Sequence, residues 1–161
     1  MAINDVLQVA RDSFLGHFMR DDFWVWPLMQ NLHFIGLCLM FGPLLAIDLR
    51  VIGACRFIPM KGALSLIPLI LGAFTINLIT GILFFFGDPF RFFYNFSFQW
   101  KMALVALAGV NALWFWVGEH AKLSQLADGE QANFQAKVIA GLSLALWIGV
   151  IIFGRLIPYL E

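Results

Sequence analysis

Charged residues along this chain are separated by long apolar runs. No formal charge falls between Phe23 and Ile47, a run of 25 residues, or between Gly62 and Gly87, a run of 26. About 20 helical residues cross the hydrocarbon of a bilayer, so each run predicts a spanning helix. Met102 to Gly118 and Val138 to Gly154 are shorter, at 17 residues each. They reach spanning length once the flanking Phe98 to Lys101 and Leu156 to Tyr159 are added. The expected fold class is all-α: a polytopic membrane four-helix bundle in a single domain covering 1–161, with spans over about 23–48, 62–87, 98–118 and 136–158. Four spans place both termini on one side.

The connecting segments carry other patterns. Ile3, Leu7, Ala10, Phe14 and Phe18 recur at helical spacing opposite Asp5, Gln8, Arg11 and Asp12, which predicts an N-terminal amphipathic helix over about 3–20 lying in the membrane interface. The 88–100 connection, DPFRFFYNFSFQW, surrounds Arg91 with aromatic rings. It suits the headgroup layer and is expected to be a re-entrant or surface-lying turn. HAKLSQLADGEQANFQAK, between the third and fourth spans, reads as an ordinary polar loop turning at Asp128-Gly129. The N-terminal residues lack the charged, apolar and small-residue regions of a secretory signal and read as mature sequence.

Composition agrees with the runs: 61% of the 161 residues are hydrophobic and 12% charged, with a mean hydropathy of +0.86. A lipid bilayer is therefore the expected partner, with a larger membrane complex or a homo-oligomer as further possibilities. Lys plus Arg and Asp plus Glu both number 10, so no basic excess attracts nucleic acid. The positive charges also tie across the membrane, with Arg11, Arg20, Arg91, Lys101 and Arg155 on the side of the termini and Arg50, Arg56, Lys61, Lys122 and Lys137 on the other. Partial burial of Lys101 and Arg155 would tip the count toward cytoplasmic first and third loops and periplasmic termini. Cys38 and Cys55 are 17 residues apart, roughly 25 Å along a helix and too far for a disulfide. Cys38, within an apolar run, reads as a small buried side chain.

Polar groups in hydrocarbon are costly, and each needs a partner or a purpose. His33 lies ten residues past Phe23, and Asn77 ten residues before Gly87 on the antiparallel second helix; both sit about 15 Å from the same face. Thr80 is a turn nearer that face, Lys101 opens the third helix from it, and Arg155 closes the fourth there. This coincidence of depth marks a candidate site. Gly36, one turn from His33, and the face formed by Ala73, Asn77, Thr80, Gly81 and Phe84 permit close helix packing or leave room for a flat cofactor. A neutral imidazole suits haem iron, making His33 the candidate metal ligand; a hydrogen bond to a neighbouring helix is the alternative. For Lys101 the alternative is a snorkelling anchor. His17 belongs to the interfacial helix, and His120 lies near the opposite face from His33, which argues against two protein imidazoles on one iron. A second polar layer, Asp48, Arg50, Asn111 and Ser143, reads as structural pairing. No Walker loop, zinc spacing, dinucleotide fingerprint or nucleophile elbow occurs.

The strings PLMQNLHFIGLCLMFGPLLAIDLRVIG, TGILFFFGDP, FQWKMALVALAGVNAL and SLALWIGVIIFGRLIPY resemble a bacterial family of small four-helix integral membrane proteins, which implies a bacterial inner membrane location. Two positions depart from that pattern: Gln30 stands where an acidic residue is frequent, and Trp116 where a His is often found. More distantly, a first-helix His with a Lys opening the third helix is similar to HemJ-type protoporphyrinogen oxidases and CopD-like membrane proteins. The resemblance implies haem b at His33 and Lys101. Two functions are thus expected: a membrane-embedded b-type haem protein with an electron-transfer or porphyrin-oxidising role, its cofactor contacted by His33, Lys101, Asn77, Thr80, Gly36 and Arg155, or a non-catalytic accessory or structural subunit of a larger membrane complex.

Overall fold

The computed structural model of the chain describes residues 2–127 and 129–160. Its helices in chain order are α1 (Ile3–Arg11), α2 (Phe14–Asp21), α3 (Val25–Ile52), α4 (Met60–Leu64), α5 (Ile67–Gly87), α6 (Pro89–Tyr94), α7 (Phe96–Gly118), α8 (His120–Ser124) and α9 (Phe134–Leu156). The segments Val25–Ile52, Met60–Gly87, Phe96–Gly118 and Phe134–Leu156 are long and apolar enough to span a membrane. At most 33% of each segment's most apolar stretch is buried within the protein. The outward faces carry Leu71, Leu78, Ile79, Val110, Leu113 and Ile152. Such a surface is stable only where lipid covers it, so the chain is an integral membrane four-helix bundle.

Local capping chemistry sets the helix limits. Asn95 and Asn133 accept hydrogen bonds from the N–H groups of Phe98 and Ala136. Their caps start α7 and α9 two residues earlier than the expected spans. α3 runs on to Ile52 and stops at Gly53, whose φ of 101° is the left-handed conformation that glycine adopts without strain. The second span is interrupted between Leu64 and Ile67, and Pro68 occupies the first turn of the new helix. The expected single N-terminal helix is in fact two. Ser13 ends its continuity by accepting from the Gly16 N–H at 3.2 Å, and a Cβ at Gly16 would overlap the Arg11 carbonyl. The break divides the apolar stripe, leaving Leu7 buried while Ile3, Phe14 and Phe18 stay exposed. Arg20 ties this collar to the bundle by donating to the carbonyls of Arg11 (2.7 Å) and Gly87 (3.1 Å). The aromatic 88–100 segment is not an irregular turn but the short helix α6 followed by the start of α7, joined at Asn95. Asp128 lies outside the described residues; Gly129 has a φ of 83°.

α3 packs closely on α5 and α9, and α9 on α7. α5 reaches the α7–α9 pair through rings: Phe85 stacks on Phe98, and Phe74 meets Trp147 edge-on, both at 6.2 Å. At the face of the first and third loops, Ile47, Val51, Met60, Ala63, Leu64, Leu123 and Ala136 form a tight apolar cluster. Arg50, 1% exposed, crosses this region and donates to the carbonyls of Ile58 (2.6 Å) and Glu130 (3.3 Å). Glu119 is also enclosed, accepting from Lys122 at 2.8 Å and Asn133 at 2.6 Å. Burial by itself raises its pKa, but the Lys122 and Asn133 hydrogen bonds and the Lys122 charge outweigh that and hold the carboxyl below its ordinary value. Cys38, expected to be buried, is exposed on the outer face of α3, and both cysteines are free thiols. In a span that is apolar all round, an apolar run does not reveal which side faces the protein.

Candidate functional site

Near the face shared by the termini, the ends of α3, α5, α7 and α9 surround a cavity of about 440 Å³. Its volume is in the range of small-molecule sites. His33, Lys101 and Arg155 all line it, so three polar residues placed by depth along different helices do converge. Trp26, Phe34, Phe84 and Phe92 give it aromatic walls.

His33 is held by two contacts from α5. Its Nδ1 lies 2.7 Å from Thr80 Oγ1, and the Phe84 ring meets the imidazole edge-on at 5.6 Å. Thr80 has a single hydroxyl proton, and its oxygen is 2.8 Å from the Ile76 carbonyl. With that proton on the Ile76 carbonyl, the Thr80 oxygen accepts from the His33 Nδ1–H; with the opposite tautomer the hydroxyl donates to Nδ1 instead. The first of these arrangements leaves Nε2 as the lone-pair nitrogen, the tautomer a metal-ligating histidine adopts when its other nitrogen is fixed by a hydrogen bond.

Asn77 and Gly36 stand behind His33 and do not line the cavity. A Cβ on Gly36 would approach Asn77 Oδ1 to 3.0 Å and the Ala73 carbonyl to 3.3 Å, so this glycine serves close packing of α3 on α5. Asn77, whose side-chain nitrogen and oxygen are both buried without a partner, fills the space next to it. Gly81 differs, since a Cβ there would sit 3.9 Å from His33 Cε1, an ordinary van der Waals contact.

Lys101 lies along α9 where Gly154 has no side chain; a Cβ at Gly154 would be 3.6 Å from its Cδ and 3.7 Å from its Nζ. Among the described residues its ammonium has no hydrogen-bond or ion-pair partner. Arg155 is exposed at the rim, with its guanidinium 5.4 Å from the centre of the Tyr159 ring. Arg91, Gln30 and Asn31 also line the cavity, and no Asp or Glu does so among the described residues. Sequence reasoning did not include these three. Gln30 and Asn31 are polar residues in the first turns of a span, a signal that was present, whereas Arg91 arrives only through the unforeseen helix α6.

The remaining histidines are elsewhere. His17 is exposed and pairs with Asp21 at 3.5 Å, while His120 stacks on Trp116 at 4.3 Å beyond the far end of α7. No group of three or more His, Cys, Asp or Glu side chains is placed to hold a metal ion among the described residues. No protein-family model, characterised protein or solved structure matches this chain.

Proposed function

We propose that this protein binds haem b in the membrane half shared by its termini, with His33 as the one protein imidazole on iron, and serves in electron transfer or porphyrin oxidation. The observation that carries the reading is the His33–Thr80 hydrogen bond, because it frees Nε2 of a neutral imidazole beside an aromatic-walled cavity. The donor set fits a haem: one imidazole nitrogen, flat apolar walls, and the cations Lys101 and Arg155 to pair with carboxylates. The resemblance carried by the residues around His33 and Lys101 points to the same cofactor. Bound haem would supply a one-electron redox centre. The chain's own contribution is to orient His33 through Thr80 and Phe84, to present Lys101 and Arg155 to anionic groups, and to shield the site with Trp26 and Phe34.

Absorption spectra of the purified protein, oxidised and dithionite-reduced, test this directly. A Soret band that shifts on reduction is the expected result, and a preparation that neither carries nor takes up haem would overturn it. The second reading, an accessory subunit, draws on α7. Only 11% of its most apolar stretch is buried within the protein, leaving Leu107, Val110, Leu113 and Val117 on an outward surface for lipid or a partner helix to cover.

A further inference from the structure

The last turn of α5 and the first turn of α3 meet where one residue has no side chain. Gly87, the final residue of α5, is buried. A Cβ there would lie 2.6 Å from Cζ3 of Trp26 and 3.4 Å from its Cε3, the first of these closer than carbon atoms approach without something shifting. The indole of Trp26 is therefore seated on the bare backbone of Gly87, a place open to it only because that residue is glycine. α2 completes the seat. Met19, 1% exposed, brings its Cβ to 3.2 Å from the same point, and Arg20 donates to the Gly87 carbonyl at 3.1 Å.

From this seat a row of ring contacts leads to the candidate site. Trp26 lines the cavity, and its ring meets that of Phe84 with centroids 5.4 Å apart. Phe84 in turn meets the His33 imidazole edge-on at 5.6 Å. Gly87, Trp26, Phe84 and His33 thus form one packed row that starts at α2 and ends at the imidazole. Close-packed side chains transmit strain, so a displacement at one end is passed along the row.

We propose that Trp26, seated on Gly87 beside α2, is a positioning residue of the cavity: it fixes the wall next to His33 and, through Phe84, the orientation of the imidazole. Its effect on bound haem rests on the function proposed above, whereas the seat of the ring and its action on His33 do not. Which group yields to a methyl at Gly87 follows from how each neighbour is attached. Met19 Cβ is fixed to the backbone of α2, and Arg20 ties α2 down, so the strain falls on the indole, a rigid ring that turns about its side-chain torsions. That ring is a wall of the cavity, and moving it changes the space beside His33.

Two measurements on the full chain in detergent micelles test this. The first needs no ligand: fluorine resonances of protein grown with fluorotryptophan, and nitrogen resonances of isotope-labelled histidine, each identified by its loss in a single substitution. Gly87→Ala should displace the resonances of Trp26 and His33. Trp116 and His120, which stack on each other beyond the far end of α7, should keep theirs. A glycine that served stability alone would lower Tm without moving the His33 signal. The second measurement is haem titration, in which Gly87→Ala should weaken binding about tenfold and shift the reduced absorption band. A wild-type protein that takes up no haem removes the function proposed above, and the resonances then decide the role of Trp26 by themselves. Unchanged Trp26 or His33 resonances in Gly87→Ala overturn the proposal. If Gly87→Ala does not fold, Trp26→Phe replaces it: the smaller ring must displace the His33 resonance, and an unchanged one overturns the proposal equally.

Discussion

Around Arg50 and Glu119 the chain satisfies its buried charges itself, with loop carbonyls receiving the guanidinium and Lys122 and Asn133 donating to the carboxylate. Around His33 it does not. Half-buried Lys101 lines a cavity with no facing carboxylate among the described residues, Arg155 stands exposed at its rim, and the apolar cluster that seals the loop face has no counterpart at the cavity. A buried charge matched by the chain contributes to holding the fold, whereas one the chain leaves unmatched requires a partner from outside. Apart from the buried Asp48, whose Oδ2 has no hydrogen-bond partner among the described residues, the loop face accordingly reads as the structural end of the bundle, and the terminal face as its receptive end.

This contrast can be broken by substitution. The largest effect is expected from His33→Ala, which should abolish the Soret band while helical circular dichroism stays unchanged, because lipid-driven insertion of four apolar helices does not depend on one imidazole. A normal haem spectrum in that variant would remove the receptive end as defined here. Next, Arg50→Leu should lose about 3 kcal/mol, since charge-assisted bonds vanish and two carbonyls are stranded in an enclosed region. Arg155→Leu, at an exposed rim, should change stability by less than about 0.5 kcal/mol. Similar losses for both in chemical denaturation would show that the two ends are not built differently. Gly36→Ala should cost about 1 to 2 kcal/mol by pressing α3 off Asn77 and the Ala73 carbonyl. It should also alter the haem spectrum, as His33 is one turn away. The smallest effect concerns Glu119, whose folded pKa lies below its unfolded value. Its contribution is fully present above the ordinary carboxylate pKa and disappears as pH falls through the lowered one. Tm measured from pH 7 downward should show this acid-side loss in the wild type, and Glu119→Gln should flatten it.

The four spans were legible because a run of more than 20 uncharged residues has few other solutions. Their ends were less so, since Asn95 and Asn133 read as loop residues until seen accepting from Phe98 and Ala136. At the candidate site, depth along each helix could be counted from sequence, and it brought His33, Thr80, Lys101 and Arg155 to one level. Rotation about each helix axis could not be counted, because lipid-facing and protein-facing sides are both apolar. For that reason the place of Gln30 beside the cavity and the outward direction of Cys38 were missed, and Asn77 was assigned to the cavity when it packs behind the histidine. Arg50 is structurally paired as expected, but its acceptors are backbone carbonyls 8 and 80 residues away, which residue types do not announce.

Both ends of the bundle are strung on α3, and between His33 and Asp48 that helix contains Pro43. Proline brings no N–H, so the Leu39 carbonyl loses its hydrogen bond along the helix. Gly42, beside it, is open enough that a Cβ would meet nothing within 4 Å. A helix resists bending through its ladder of bonds, and here one rung is missing midway along the shaft. α3 is therefore best treated as two stiff rods on a soft joint. A displacement imposed on the rod that carries His33 is expected to be absorbed there in part, so that the rod that carries Asp48 can keep its own elastic equilibrium.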